Sequence, residues 1–357
     1  MSIFEEIKKE VDRGLNDENA GIPIGFEKLN SYIGIRKKIY TLVFGSSGTG
    51  KSSLVHNAYI LNPYDWYIAN KATTKIKLKI VYFSMERSST YIVAKWIARK
   101  MFLDHETFIP VPRLLGWKRG TQKLSSEEYE LFLSYKDYIE EMTDVIEIVD
   151  GAQNPTAIYK WIKDYAERNG EIEQISEYKK IYIPNNEHLI TLIIVDHQSL
   201  IRREKGVNTK KEAIDKLSQY LQQARDFYSF SPILVAQMNR DIANPIYQKM
   251  ESFEPIPEQI KDSGTTYEDS DVCISLFDPA KFKTSCPTGH DLSKLIGPTG
   301  AKFYRSLKIH KSTWSEDDIR VPLGFHGALG LFKELKKRDE MNNTDYDSIL
   351  DGSYFLT

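Results

Sequence analysis

Gly45-Ser46-Ser47-Gly48-Thr49-Gly50-Lys51-Ser52 satisfies the pattern G-x-x-x-x-G-K-[ST] at every fixed position, the signature of a loop that cradles phosphate. Upstream, Ile39-Tyr40-Thr41-Leu42-Val43-Phe44 is β-branched and aromatic and reads as a buried parallel strand. Downstream, Ser53 to Leu61 carries no Gly or Pro until Pro63, so a helix can follow. Strand, glycine loop and helix are the context that distinguishes a phosphate site from a chance glycine-rich turn. Backbone N–H groups from Gly45 to Ser53 close around phosphate oxygens, and the helix N-terminus adds partial positive charge. Lys51 reaches the β- and γ-phosphates of ATP, and the Ser52 hydroxyl is a ligand for Mg²⁺. The fold expected from this unit is α/β, with a central, mostly parallel β-sheet flanked by helices.

The chain of 357 residues could hold one large α/β domain or two small ones. At 41% hydrophobic and 27% charged residues, the composition is ordinary for a globular protein with a sizeable core. The net charge of −2 supplies no global field for nucleic acid, so any such binding must come from local basic clusters. Cys273 and Cys286 are too few for a disulfide framework. Cys286 and His290 could suggest two metal ligands, but two more are absent nearby. No signal-peptide core and no run of roughly 18 apolar residues is present, so the expectation is an intracellular, cytoplasmic protein with no membrane partner.

Ser2 to Leu15 places Ile3, Phe4, Ile7, Val11 and Leu15 at helical spacing between charges. This amphipathic helix either caps its own domain or packs on a neighbouring subunit. Ile80-Val81-Tyr82-Phe83-Ser84 is the next strand, ending at Glu86. Beyond the carboxyl end of a parallel strand a carboxylate can orient or deprotonate an attacking water; the plainer role is a solvated Glu starting a helix. Residues 103–143 read as mainly helical, Val145 to Asp150 as a strand, and Asn154-Pro155 as the opening of a helix to about Asn169. Residues 170–188 read as a polar, irregular, exposed insertion.

Leu189-Ile190-Thr191-Leu192-Ile193-Ile194-Val195-Asp196 is the most hydrophobic strand, and it ends in an acid that can reach the Mg²⁺ shell opposite Ser52. The following run holds Arg202, Arg203, Lys205, Lys210 and Lys211. It is either a solvated face or a set of phosphate contacts. A helix from Lys211 to about Tyr228 leads to the strand Ser231 to Gln237, whose polar end Gln237-Met238-Asn239-Arg240 suits sensing of a γ-phosphate. Strands are also expected at Asp271 to Phe277 and Ser306 to Lys311, and residues 336–357 read as a polar, frayed tail.

In this order Gly21-Ile22-Pro23-Ile24-Gly25-Phe26, the phosphate loop, Phe83-Ser84-Met85-Glu86, Ile194-Val195-Asp196, Val235 to Arg240, and Asp262-Ser263-Gly264 with Glu268 to Val272 resemble successive signatures of DnaB-type replicative helicases. The likeness runs from about residue 3 to 335. It implies a RecA-like P-loop motor domain over residues 21–335, preceded by a linker-like helix and linker in residues 1–20. The implied assembly is a homo-hexameric ring that hydrolyses NTP between subunits and translocates on single-stranded DNA, with primase or a helicase loader as further partners and a phage in a bacterial host as one source. Glu86 is the implied catalytic carboxylate and Gln237 the coupling residue. The basic loop from Arg202 and the loop Lys261-Asp262-Ser263-Gly264 would line the DNA channel, and the helix Ser2 to Leu15 would dock on the adjacent subunit.

Three departures stand out. The family's separate N-terminal helical domain has no counterpart here, residues 170–188 look inserted, and the family's Lys-x-Arg is replaced by Lys311-Ser312-Thr313. Lys311 is then the surviving candidate for a trans cation; Arg305 and Arg320 are near in sequence but outside the motif. The competing class is a nucleotide-switched RecA-like ATPase, of recombinase or helicase-loader type, that binds DNA without unwinding it.

Overall fold

Strand alternation sends Leu42 and Phe44 to one side of the sheet and Val43 to the other, and both sides are buried. That is the condition for a parallel sheet covered on two faces. The computed structural model describes residues 2–15, 19–117, 119–120, 122–151, 153–239, 253–262 and 265–356. Its strands are β1 (Thr41–Gly45), β2 (Lys77–Ser84), β3 (Ile146–Asp150), β4 (Gly170–Ser176), β5 (Lys179–Pro184), β6 (Leu189–Asp196), β7 (Ser231–Gln237), β8 (Val272–Phe277), β9 (Tyr304–Ser312), β10 (Arg320–His326) and β11 (Leu331–Glu334).

Nine of these form one sheet in the order β11-β10-β9-β8-β1-β7-β6-β2-β3. From β8 to β3 every neighbouring pair is parallel, whereas β9, β10 and β11 extend the sheet antiparallel. One face packs Leu42, Phe44, Ile193 and Val195 against Ile158, Ile162, Leu217 and Leu221 of the helices Pro155–Arg168 and Lys210–Asp226. The other packs Val43, Leu192 and Ile194 against Leu54, Ile60 and Trp96 from the helices after β1 and β2. Among the described residues no helix is long and apolar enough to cross a membrane.

Local chemistry departs from the sequence reading in four places. The helix after the loop does not stop before Pro63. An α-helical turn (Lys51–Val55) passes through a π-helical segment (His56–Leu61) into a second α-helix (Asn62–Asn70). The π turns shift the hydrogen-bond pattern, so Pro63 falls at the start of the next α segment, where its missing N–H costs little. The irregular segment expected at 170–188 is instead a hairpin, β4 paired antiparallel with β5 and anchored by Tyr182, whose hydroxyl donates to Ala166 O at 3.0 Å. β10 was not expected, because Pro322 argues against an interior strand. Pro322 lies opposite the end of β11, whose last residue Glu334 pairs with Leu323; the Pro322 carbonyl still accepts from Leu335 N at 2.9 Å, so only the N–H that proline lacks goes without a ladder bond.

The fourth departure is the tail, which does not fray. Asn342 and Asp345 form a capping box with two 3.0 Å bonds that starts the helix Asn343–Asp351. Tyr346, Ile349 and Phe355 are buried with Phe102, Leu331 and Leu335. Ile349→Ala should therefore lower unfolding stability by about 2–5 kcal/mol, the usual cost of such a core truncation. A urea midpoint identical to that of the parent would show that this helix is not part of the cooperative fold.

Candidate nucleotide-binding site

Register assembles the motifs. On parallel strands, Gly45 of β1 lies opposite Gln237 of β7, and Ser84 of β2 lies opposite Asp196 of β6. Since β1, β7, β6 and β2 are neighbours, their carboxyl ends bring Lys51, Ser52, Glu86, Asp196 and Gln237 to one cavity of about 370 Å³. Such a crevice is where open α/β sheets hold ligands. A larger cavity of about 800 Å³ lies near Arg13, Trp66 and His188, at the amino ends of the strands and apart from these groups.

The loop is held by its carbonyls. Ser46 O accepts from Thr49 Oγ1 and from Lys51 Nζ, both at 2.9 Å. Ser47 O accepts from Lys281 Nζ, and Thr49 O from Arg305 Nε at 2.7 Å. Gly50 has φ 99°, and a Cβ there would stand 2.9 Å from the Phe325 ring; only glycine fits both constraints. No side chain caps the helix that begins at Lys51, which leaves its first N–H groups for an anion. Ser53 follows in the first turn and accepts from Lys95 Nζ at 3.1 Å. Burial lowers the Lys51 ammonium to about 8, against the pull of Asp196.

Asp196 is buried, and burial raises its carboxyl pKa against the lowering effect of the Ser52 and Tyr82 hydroxyls. Tyr82 donates to Oδ2 at 2.9 Å, whereas Oδ1 has no partner among the described residues. An uncommitted carboxylate oxygen beside a serine hydroxyl is a donor set that suits a hard divalent cation such as Mg²⁺. Glu86 sits on the exposed rim, its carboxylate 3.6 Å from Arg87. Gln237 Nε2 stands 3.5 Å from His197 Nε2.

The end of β7 is tied to the second candidate DNA loop. Lys261 N donates to Gln237 O, and Asn239 N to Gln259 O, both at 2.8 Å. Gln198, two residues after Asp196, donates to Lys261 O at 3.1 Å. Ser263, Gly264 and Arg240 lie outside the described residues. In the first basic loop Arg202, Arg203, Lys205 and Lys211 are exposed. Arg203 Nη1 donates to Asn208 O at 2.9 Å, and half-buried Lys210 donates to Ser199 O.

Lys311 is not in the cavity. It pairs with Cys273, which pairs with Leu42, at the end of the sheet away from Gly45. Its ammonium donates to Tyr267 O at 3.2 Å and Glu268 O at 3.0 Å. Arg305 lies behind the loop in its own subunit, paired with Asp278 at 3.3 Å and 4.6 Å from the Phe325 ring centroid. Arg320 is bound to Glu254 at 2.7 Å and to Asp318 at 3.1 Å.

Sequence reasoning missed His56, Tyr82, Arg87, Tyr91, Lys95 and His197 on the cavity wall, and Lys281 and Arg305 behind the loop. Tyr82 had one available signal, a hydroxyl in an otherwise apolar buried strand. Lys281 and Arg305 come from more than 200 residues downstream, and no spacing rule reaches them.

Comparison with known proteins bears on the fold that builds this site. A solved structure described as an ATPase domain superposes with a TM-score of 0.67 at 17% identity, over 94% of this chain and 99% of that one. A solved DnaB-like replicative helicase, described with its interactions with primase, gives 0.62 at 16% identity, over 88% of this chain and 64% of that one. Both likenesses establish the fold. Among curated proteins none matches the chain. The family of the DnaB-like helicase C terminal domain matches residues 21–296, and the chain belongs to that family.

Proposed function

We propose that the chain is an ATP-dependent DNA helicase motor that translocates on single-stranded DNA in replication. The observation that carries this reading is the bond from Lys261 to the backbone of Gln237. It joins a candidate DNA loop directly to a cavity that holds Lys51, Ser52, Glu86 and Asp196. In this proposal the loop from Gly45 to Ser53 binds the triphosphate through backbone N–H groups, and Lys51 offsets its negative charge. Ser52 and Asp196 hold Mg²⁺, which would neutralise charge developing on the phosphates. Glu86 positions the attacking water. Gln237 senses the γ-phosphate and moves Lys261 through the shared backbone bond.

Residues 21–335 form the motor in this reading, with residues 1–20 as a linker and 336–357 as an extension packed on it. Self-assembly is supported by the helix Ile3–Leu15, whose Ile3, Phe4, Ile7, Val11 and Leu15 are 55–79% exposed. A contiguous apolar stripe of this kind marks an interaction surface, and a neighbouring subunit of a homo-hexameric ring is the proposed occupant. Primase or a helicase loader is the proposed further partner, in the cytoplasm. Strand displacement on a forked duplex with ATP tests the whole reading. Hydrolysis stimulated by single-stranded DNA with no displacement would favour the nucleotide-switched DNA-binding ATPase instead.

Nucleotide affinity should depend on pH through Lys51. Its pKa is about 8 in the free protein, and a bound triphosphate raises it, so binding takes up a proton above pH 8. Affinity should be flat below pH 8 and fall by up to about tenfold per unit above it. Titrating a fluorescent ATP analogue from pH 7 to 9.5 reads this directly. Lys51→Ala should bind weakly with a flat profile and lose hydrolysis; turnover within a factor of two of the parent would remove Lys51 from the site.

Replacing Arg202 and Arg203 with Ala should weaken single-stranded DNA binding on every sequence. The slope of log affinity against log salt should flatten by roughly one unit for each DNA phosphate that is no longer neutralised. Unchanged affinity and slope would make this run a solvated face.

Lys311 is proposed as the cation that completes a neighbour's site. An arginine in that role contributes about 10³–10⁵ in rate, and lysine lacks the planar fork. Lys311→Ala and Lys51→Ala should each be inactive alone and regain turnover when mixed, because some interfaces then pair an intact loop with an intact Lys311. Co-assembly without recovered turnover, or full activity of Lys311→Ala alone, would exclude this role.

A further inference from the structure

Four buried side chains form one directional chain of hydrogen bonds that ends on Asp196. Trp96 Nε1 stands 3.2 Å from His56 Nδ1, His56 Nε2 3.0 Å from the Tyr82 hydroxyl, and that hydroxyl 2.9 Å from Asp196 Oδ2. All four residues are at most 7% exposed. They come from four elements: the helix Ser89–His105, the π-helical segment after the phosphate loop, β2 and β6.

Donor chemistry fixes the direction. An indole N–H can only donate, so His56 Nδ1 must accept and the imidazole proton sits on Nε2. A second proton on Nδ1 would face the indole N–H, and burial accordingly pushes the His56 pKa down to about 3. Nε2–H then donates to the Tyr82 oxygen, which leaves the tyrosine hydrogen free to point at Asp196 Oδ2. Edge-on packing of His56 against both rings, at 87° to Tyr82 and 89° to Trp96, holds the imidazole in that plane. In a low-dielectric interior each link polarises the next.

We propose that Trp96, His56 and Tyr82 are positioning residues that commit Asp196 Oδ2 to the protein, so that Oδ1 is presented to the divalent cation of a bound nucleotide. The inference rests on the proposed nucleotide site and concerns only how its carboxylate is aimed. The arrangement parallels the partners behind metal-ligating groups generally, whose loss costs about 10–100-fold in metal affinity or activity. Tyr82 supplies the hydrogen bond to Oδ2 that holds the carboxylate rotamer. Trp96 fixes the imidazole tautomer that directs the tyrosine hydrogen.

Two measurements on the full chain test this. Mn²⁺ binding in the presence of a non-hydrolysable ATP analogue is followed by the electron paramagnetic resonance signal of the free ion. Tyr82→Phe should weaken Mn²⁺ binding about 10–100-fold while affinity for the analogue without metal stays at the parent value. Trp96→Phe should give a smaller loss in the same direction. The ¹⁵N shifts of His56 should report a neutral ring with hydrogen on Nε2 from pH 5 to 9, and Trp96→Phe should introduce the other tautomer. The histidine readout stands if a variant folds poorly, because the parent alone decides it. Parent-like Mn²⁺ binding in Tyr82→Phe, or hydrogen on Nδ1 in the parent, overturns the positioning role and leaves the nucleotide site intact. A parent that binds neither the analogue nor Mn²⁺ with it overturns the nucleotide reading itself, and the inference with it.

Discussion

The site depends first on cations that hold the phosphate loop by its carbonyls. A loop of small residues has little side-chain packing of its own, and its peptide planes could rotate. Ser46, Ser47 and Thr49 each present a carbonyl to Lys51, Lys281 or Arg305. A peptide whose oxygen is held by a cation cannot rotate freely, so the N–H groups of the loop keep a fixed direction. Charge-assisted bonds are about twice as strong as neutral ones, and the Arg305 bond is buried, where no water competes. The loop is thereby organised for an anion before one arrives.

The sheet then determines what the loop faces. Parallel strands with covered faces place all their carboxyl ends on one rim, so a glycine loop, a carboxylate and an amide meet because their strands are neighbours. The same register underlies the proposed coupling. β7 ends beside Gly45, and its last carbonyl is the acceptor for Lys261. In that proposal a shift of Gln237 would pass to the segment bonded to its backbone without a flexible side chain between them.

Much of this was legible in the sequence, for identifiable reasons. The strands ending at Ser84, Asp196 and Gln237 are continuous apolar runs that stop at polar residues, so their boundaries are written in hydrophobicity. The helix start at Asn154 follows from a side chain that can cap, and it accepts the Ala157 N–H; the helix read from Lys211 opens one residue earlier, capped by Thr209. What stayed hidden was non-local. Pro322 disguised β10 because its tolerance depends on where β11 ends. The packing of 336–356 was obscured by a polar composition in which Tyr346, Ile349 and Phe355 are the large side chains that become buried. In the site, Glu86 and Asp196 announce themselves at strand ends, but Lys281 and Arg305 become partners of the loop only through the fold.

Magnitudes also separate the cations that could serve a neighbouring subunit. Arg305 is buried, bound to Thr49 O and paired with buried Asp278. Moving it would strand a desolvated carboxylate, a loss of about 3–5 kcal/mol, and would release the loop it braces. Arg320 is held on two sides by Glu254 and Asp318. Lys311 holds no carboxylate among the described residues: its ammonium donates to Tyr267 O and Glu268 O near the end of a short helix and lies 5.4 Å from the Tyr267 ring centroid. Bonds of that kind are worth about 1.5–3 kcal/mol each to a charged donor, and a phosphate oxygen can replace them in kind. Lys311 also stands at the end of the sheet opposite its own loop, out of reach of the phosphate site of its own copy. The same exchange would release the helix Thr265–Asp269, which begins where the second candidate DNA loop ends. Under the proposed trans role, a cation that is exchangeable, remote from its own cavity and attached to that helix would link hydrolysis in one subunit to DNA contact in the next.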